Sequence, residues 1–215
     1  MGNTGKLIVF EGADGVGKST LIKHTEALLK TERVSFESHS FPGKGVGTLG
    51  WVVDQIQHDR NSFGLGGLTA LSLQALHIAA HLDHIETRIL PNLRRGVWIV
   101  LDRFWWSTSV YGHADNVDGE VLETLIHAEK QAWGPTIPSM VFLVSRTSSF
   151  RPEHTAEKHS ILSALYGSLA EHESQKYSVS IISNDSIDES HEIIRNALCE
   201  LGLYSSDWKK SSDIL

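Results

Sequence analysis

The stretch "FEGADGVGKST", residues 10–20, closes an apolar run and opens a helical pattern, and the fold follows from how it is read. Gly12-Ala13-Asp14-Gly15-Val16-Gly17-Lys18-Ser19 fits G-x-x-x-x-G-K-[ST], with Thr20 continuing into the helix. Glycines let the backbone curl so that successive N–H groups point inward, and the helix start adds a partial positive charge. Lys18 can then reach terminal phosphates, and the Ser19 hydroxyl suits Mg²⁺, which prefers hard oxygen donors. A plain glycine-rich turn would need neither the lysine nor the hydroxyls. The segment reads as a nucleotide-binding loop between a strand and a helix.

Outward from it, short apolar runs alternate with helical patterns. Residues 6–10, 33–38, 97–101, 140–144 and 179–183 read as strands, several of them apolar on both faces. Residues 18–30, 68–93, 118–132, 156–175 and 187–201 read as helices, the last stopped by Gly202. The glycine-rich segments 43–50 and 61–67 read as loops. Strands buried on both sides and separated by helices imply an α/β fold with a parallel five-stranded sheet flanked by helices. With no repeat and no linker, residues 1–215 are expected to form a single domain, the tail 205–215 being a frayed end.

Composition narrows the function classes. A chain of 215 residues, 40% hydrophobic, can bury a full core. Its formal charge of -7, with both signs intermixed, argues against a nonspecific nucleic-acid binder. The single cysteine, Cys199, excludes an internal disulfide and multi-cysteine zinc patterns. No apolar stretch approaches the ~18 to 20 residues that span a bilayer. "MGNTGK" has Lys6 where a myristoylation signal has Ser or Thr, and "LIVF" is too short for a signal-peptide core. A soluble cytoplasmic protein, bound to neither membrane nor nucleic acid, is the expectation.

The second informative element is "VWIVLDRFWWS". Residues just past the carboxyl end of a parallel strand face the ligand crevice, so Asp102 can hold Mg²⁺ through water and Arg103 can fork onto a phosphate. An Asp-Arg ion pair ending a strand is the plainer reading, and proximity to a phosphate loop favours the functional one. Trp105 and Trp106 could stack on a base, though paired aromatics after a strand are more often core or rim.

With both elements in hand, the chain resembles the thymidylate kinase family of P-loop nucleoside monophosphate kinases. "FEGADGVGKST", "SFPGKGVGTLG", "AAHLDHIETRILPNLRRGVWIVLDRFWWSTSVYG", "ALYGSLAEHE" and "VSIISNDSIDESHEIIRNAL" carry the likeness along most of the chain. The resemblance implies transfer of the ATP γ-phosphoryl group to a nucleoside 5′-monophosphate, with Mg²⁺, in a two-fold homodimer. It implies that Asp14 meets the acceptor sugar, that Lys18 and Ser19 hold phosphate and magnesium, and that Arg103 meets the acceptor phosphate. Phe41, Pro42, Ser107, Thr108 and Tyr111 fall where the family lines its acceptor pocket. A lid arginine is required because Gly15 occupies the loop position. Arg146 and Arg151 are the candidates, and Arg151 is preferred.

The sequence departs from the family in three places. The segment between Val144 and the helix near His159 is shorter than the family's lid. Ser40 stands where the family has an arginine; Lys44 or His39 could take its place, a solvated loop being the plainer reading. His77 and His81 occupy the positions of a stacking aromatic and a base-binding arginine. A neutral histidine offers one donor and one acceptor, so weaker discrimination for thymine is expected, with acceptor affinity sensitive to pH between 6 and 8. The i, i+4, i+7 spacing of His77, His81 and His84 also allows a metal site, a reading with little behind it. Two other readings stay open. One is a deoxynucleoside kinase with Glu37 as its base. The other is a P-loop module that only binds or regulates.

Overall fold

The three longest apolar runs become the buried centre of a sheet. In the computed structural model, which describes residues 4–149 and 155–203, the strands are β1 (Leu7–Glu11), β2 (Phe36–Ser40), β3 (Trp98–Asp102), β4 (Met140–Ser145) and β5 (Val179–Ser183). They pair in parallel in the order β2-β3-β1-β4-β5. All five residues of β1 are buried, and Phe10 meets Phe142 with ring centroids 5.0 Å apart. The edge strands β2 and β5 are largely half-exposed or exposed. Their mixed polarity explains why β2 lies two residues beyond the expected 33–38 end.

Register sets the site. Phe10 stands beside Asp102 and Phe142, and Ser40 beside Asp102, so β1, β2 and β3 all release the chain at one edge. In a parallel sheet that carboxyl edge is where ligands bind.

The helices are α1 (Lys18–Thr31), α2 (Leu49–His58), α3 (Ala70–His84), α4 (Leu90–Arg94), α5 (Trp105–Ala114), α6 (Gly119–Trp133), α7 (Ala156–Glu173) and α8 (Ile187–Glu200). Two of them correct the sequence reading. Part of the expected 43–50 loop is the start of α2, whose first turn is capped by Thr48 accepting from Trp51 N–H. Residues 105–114 are helical, and Trp105 and Trp106 are core residues, 1% and 0% exposed. The expected helix 68–93 is interrupted by a π-helical turn at Ile85–Ile89. Pro91 accounts for it: lacking an N–H and crowding the preceding turn, proline widens or breaks the ladder. The expected 61–67 loop contains one 3₁₀ turn, Asn61–Phe63. The tail 205–215 and Arg151 lie outside the described residues. No helix among the described residues is long and apolar enough to cross a membrane.

Candidate active site

The loop between β1 and α1 turns on glycine. Gly12, Gly15 and Gly17 have φ of 137°, 77° and 93°, a region L side chains rarely adopt. A Cβ at Gly12 would sit 2.1 Å from the Val144 carbonyl oxygen, and one at Gly17 2.2 Å from Asn184 Nδ2. That Asn184 amide donates to Val16 O at 2.8 Å and its Oδ1 accepts from the Ser190 hydroxyl at 3.0 Å. The turn after β5 thus braces the phosphate loop from outside. Ala13 and Val16 bury their side chains, leaving the backbone of Gly12–Gly17 to form the cradle. Lys18 Nζ donates to Gly12 O and Ala13 O, both at 2.8 Å. Burial, then the Arg103 charge, lowers its pKa to about 8. Ser19 and Thr20 are exposed at the helix start.

Across the crevice, Asp102 ends β3. Its Oδ1 is buried with no hydrogen-bond partner among the described residues. A buried carboxylate oxygen left without a donor is costly, and a hard cation would satisfy it, the Ser19 hydroxyl at the start of α1 offering a second oxygen donor. The donor set therefore fits Mg²⁺. Arg103 has φ 76°, a conformation unfavourable by about 1–2 kcal/mol for a residue with a Cβ. Its N–H donates to Phe10 O at 2.9 Å, holding the turn. The guanidinium forms an ion pair with Asp14 and donates to Ser107 Oγ at 2.8 Å. Tyr111 donates to the other Asp14 oxygen at 2.9 Å and lies under the Arg103 guanidinium. Asp14, Arg103, Ser107 and Tyr111 are therefore brought into one cluster.

Two members of that cluster went unassigned in the sequence. Glu11, fully buried at the end of β1, accepts from Phe104 N–H at 2.7 Å, Ser107 N–H at 3.0 Å, and the Ser107 hydroxyl at 2.7 Å. The Tyr166 hydroxyl of α7 donates to it at 3.2 Å. Burial raises the Glu11 pKa, opposed by the Arg103 charge and these hydrogen bonds. Burial and the Glu11 charge push Tyr166 well above the ordinary tyrosine range. An acid closing an apolar strand directly before the phosphate loop was the available signal for Glu11. Tyr166 had none.

A cavity of about 350 Å³ opens beside this cluster. Phe41 and Pro42 line it from the turn after β2, His77 and His81 from α3, and Ser107, Thr108 and Tyr111 from α5. Asp14, Asp102 and Arg103 line it at the end next to the β1–α1 loop, and Lys44 lines it as well. Gln74, 4% exposed, also lines it and was not singled out. The Phe41 ring stacks on His81 at 4.0 Å between centroids, while His81 Nδ1 bonds Glu129 of α6 at 2.8 Å. Burial, then the His81 and Arg103 charges, lowers the His77 pKa to about 3. His77 is thus neutral throughout pH 6–8 and cannot supply the expected pH sensitivity. His84 and His39 turn from the cavity toward each other, 2.9 Å apart, and Glu37 bonds His39 and Asn92 rather than lining it.

Arg146, just past β4, donates to Asn184 O at 2.8 Å and approaches Asp185 at 3.9 Å, on the bracing side of the phosphate loop. Farther along, Ser149 donates to Asp14 O at 3.0 Å.

Comparison with known proteins agrees with this geometry. A family model for thymidylate kinase matches residues 10–194. A thymidylate kinase of Akkermansia muciniphila is 33% identical over 139 residues, covering 65% of this chain and 62% of the relative. One of Afipia carboxidovorans is 36% identical over 126 residues, covering 58% and 53%. One of Desulfotalea psychrophila is 29% identical over 181 residues, covering 78% and 83%. The chain thus matches between about half and two thirds of the length of the first two.

Proposed function

The chain belongs to the thymidylate kinase family, and from that premise we propose that it transfers the γ-phosphoryl group of ATP to the 5′-phosphate of a deoxynucleoside monophosphate, dTMP by default. The observation that carries this reading is the Asp14–Arg103 contact. It ties the phosphate loop to the turn after β3 at the wall of a cavity large enough for a nucleoside. A donor nucleotide on the loop and an acceptor in the cavity would meet there.

Lys18 leaves its two loop carbonyls for the β- and γ-phosphates. Arg103, held by Asp14 and Ser107, aligns the acceptor phosphate, with Lys44 adding a second cation from the cavity wall. Asp14 accepts from the acceptor sugar. Ser19 and Asp102 would hold Mg²⁺, which when bound neutralises charge on the transferring phosphate. Catalysis is then positioning and charge neutralisation, since phosphoryl transfer asks little covalent chemistry of the protein. Arg146, fixed beside the loop, belongs to the ATP side. Arg151 is assigned as the lid arginine from sequence alone. The deoxynucleoside kinase reading loses its candidate base, because the Glu37 carboxylate is engaged away from the cavity.

The test is a coupled assay with ATP, Mg²⁺ and a panel of nucleosides and monophosphates. ADP release that depends on a deoxynucleoside monophosphate is expected. Release dependent on nucleosides, or none with any acceptor, would overturn the reading.

A further inference from the structure

Helix α5 begins without a cap of its own. Its N-cap residue, Phe104, has no side-chain acceptor, and its first turn contains no acid. The first N–H groups of a helix need partners from outside its own ladder. Here β1 supplies them. Glu11 Oε1 accepts from the N-cap N–H of Phe104 at 2.7 Å and from the N–H of Ser107, three residues on, at 3.0 Å. A capping box divides those two bonds between two side chains of the helix itself. In this chain one carboxylate makes both from another element, 93 residues from Phe104 in sequence.

The same carboxylate holds Arg103 at both ends. At its root, φ of 76° is unfavourable for a residue with a Cβ and persists only if its surroundings fix it. The two N–H groups that flank the Arg103 Cα are both tied to β1, its own to Phe10 O at 2.9 Å and that of Phe104 to Glu11. At its tip, the guanidinium donates to Ser107 Oγ at 2.8 Å. That hydroxyl directs its proton to Glu11 Oε2 at 2.7 Å, which turns its lone pairs toward Arg103. The Tyr166 hydroxyl at 3.2 Å and the Gly12 N–H at 3.4 Å are the other donors to Oε2, the second being a weak bond. Most of what Glu11 holds therefore lies on the Arg103 side, and little on the phosphate loop.

Resting on the reading of Arg103 as the residue that meets the acceptor phosphate, we infer that Glu11 is its positioning residue, capping α5 and fixing the left-handed turn so that the guanidinium is aimed before an acceptor arrives. Glu11 is 0% exposed and touches no substrate. What it supplies is reach, an oxygen placed where two N–H groups converge. Aspartate keeps the charge but is one methylene shorter, so its oxygens withdraw from both N–H groups. Glutamine loses the charge and keeps the reach. Its amide oxygen can stay on the two N–H groups, with its NH₂ toward the Ser107 and Tyr166 hydroxyls, which can turn to accept. The two variants therefore separate position from charge.

Comparing dTMP with thymidine isolates the phosphate contact, since the two differ only there. Calorimetric binding to the wild type should favour dTMP by roughly tenfold to a hundredfold, the range of a hydrogen bond to a charged group. Arg103→Ala should remove most of that preference and sets the benchmark. Glu11→Asp should fall to the same level, with thymidine and ATP affinities each within about threefold of wild type, whereas Glu11→Gln should keep most of the preference. In turnover, kcat/KM for dTMP should follow the same order. A role in the fold alone would weaken dTMP and thymidine together. If Glu11→Asp does not fold, Glu11→Met, similar in volume but without an oxygen, takes its place with the same expectation. An aspartate or methionine variant that keeps the wild-type preference, or a Glu11→Gln variant that loses it, would overturn the inference. A wild type without the preference, or an Arg103→Ala variant that keeps it, overturns instead the acceptor-phosphate reading of Arg103 and leaves Glu11 nothing to position.

Discussion

The two ends of the crevice are built from different atoms. The phosphate end is backbone: three glycines at positive φ, curled N–H groups, and one lysine bonded to its own loop. The acceptor end is side chain, drawn from the turn after β2 and from α2, α3 and α5, with α6 buttressing behind. A backbone cradle tolerates almost any residue at its x positions and recognises any phosphate chain. A wall of side chains can tell one base from another, but only if each polar group is fixed by a neighbour. The ends should therefore fail differently when mutated.

Lys18 tests the phosphate end hardest. Lys18→Met should lower kcat by about a thousandfold or more, because the ammonium meets charge that develops in the transition state. Stability should not follow. The folded pKa of about 8 lies below the ordinary 10.5, so the unfolded chain binds more protons between those values. Stability contributed by this group is present above pH 10.5 and lost as pH falls through 8. Removing the buried charge should leave the melting temperature of the nucleotide-free protein level or higher at pH 7. A variant that melted earlier yet kept turnover would break the comparison.

Gly17 comes next. Alanine there must adopt φ 93° and displace Asn184 Nδ2, losing the bond to Val16 O. The combined cost should be about 2–3 kcal/mol in denaturant unfolding, with weakened ATP binding. Gly17→Ala with Asn184→Ala should remove the collision and leave the backbone part, so the double variant should be less destabilised than the two singles summed.

That contrast also explains what the sequence could reveal. The phosphate loop is local: eight consecutive residues contain the glycines, the lysine and the hydroxyl, so spacing alone finds them. Asp102-Arg103 is nearly as local, one step past an apolar strand. Asn184 braces the same loop from 168 residues away and carries no pattern. Glu129 sits in a helix whose buried face is otherwise Leu122, Ile126 and Trp133, and nothing in the apolar spacing of residues 118–132 marks the acid as buried while Val121 is 42% exposed. Likewise apolar Leu71 is 38% exposed, whereas polar Gln74 and His81 lie on the buried face of α3. Helix faces are set by what packs on them, which periodicity alone resolves only to within a residue. The start of α2 was hidden by glycines, and α5 by two tryptophans whose place after a strand gave no helical pattern.

Between the two ends lies Glu11, whose carboxylate gathers Phe104, Ser107 and Tyr166 beneath Arg103. Tyr166→Phe removes one of these donors while keeping the ring, and should cost about 1 kcal/mol of stability. Because Ser107 also holds the Arg103 guanidinium, acceptor kcat/KM should fall by about tenfold with ATP KM unchanged. Equal losses for both substrates would mean that the cluster supports the fold generally rather than the acceptor phosphate.

His77 should give the smallest effect, on the side-chain end. Its ring is neutral at working pH, so phenylalanine replaces one uncharged aromatic by a more apolar one. His77→Phe should leave kcat within about threefold and alter acceptor KM no more than that, because no hydrogen bond or charge is removed. The pH dependence separates the variants more sharply. The folded pKa of about 3 lies below the ordinary 6.5, so the unfolded chain takes up the proton first as pH falls. The stability attached to the neutral ring is complete above pH 6.5 and is lost progressively toward pH 3. His84, lowered to about 4 by burial and then by His39, acts in the same direction and window. Thermal melts from pH 7.5 to 4.5 should show the wild type losing stability below pH 6.5 and His77→Phe losing less. Identical slopes would mean that the ring is solvated when the cavity is open, and that the acceptor wall is assembled only as nucleotide enters.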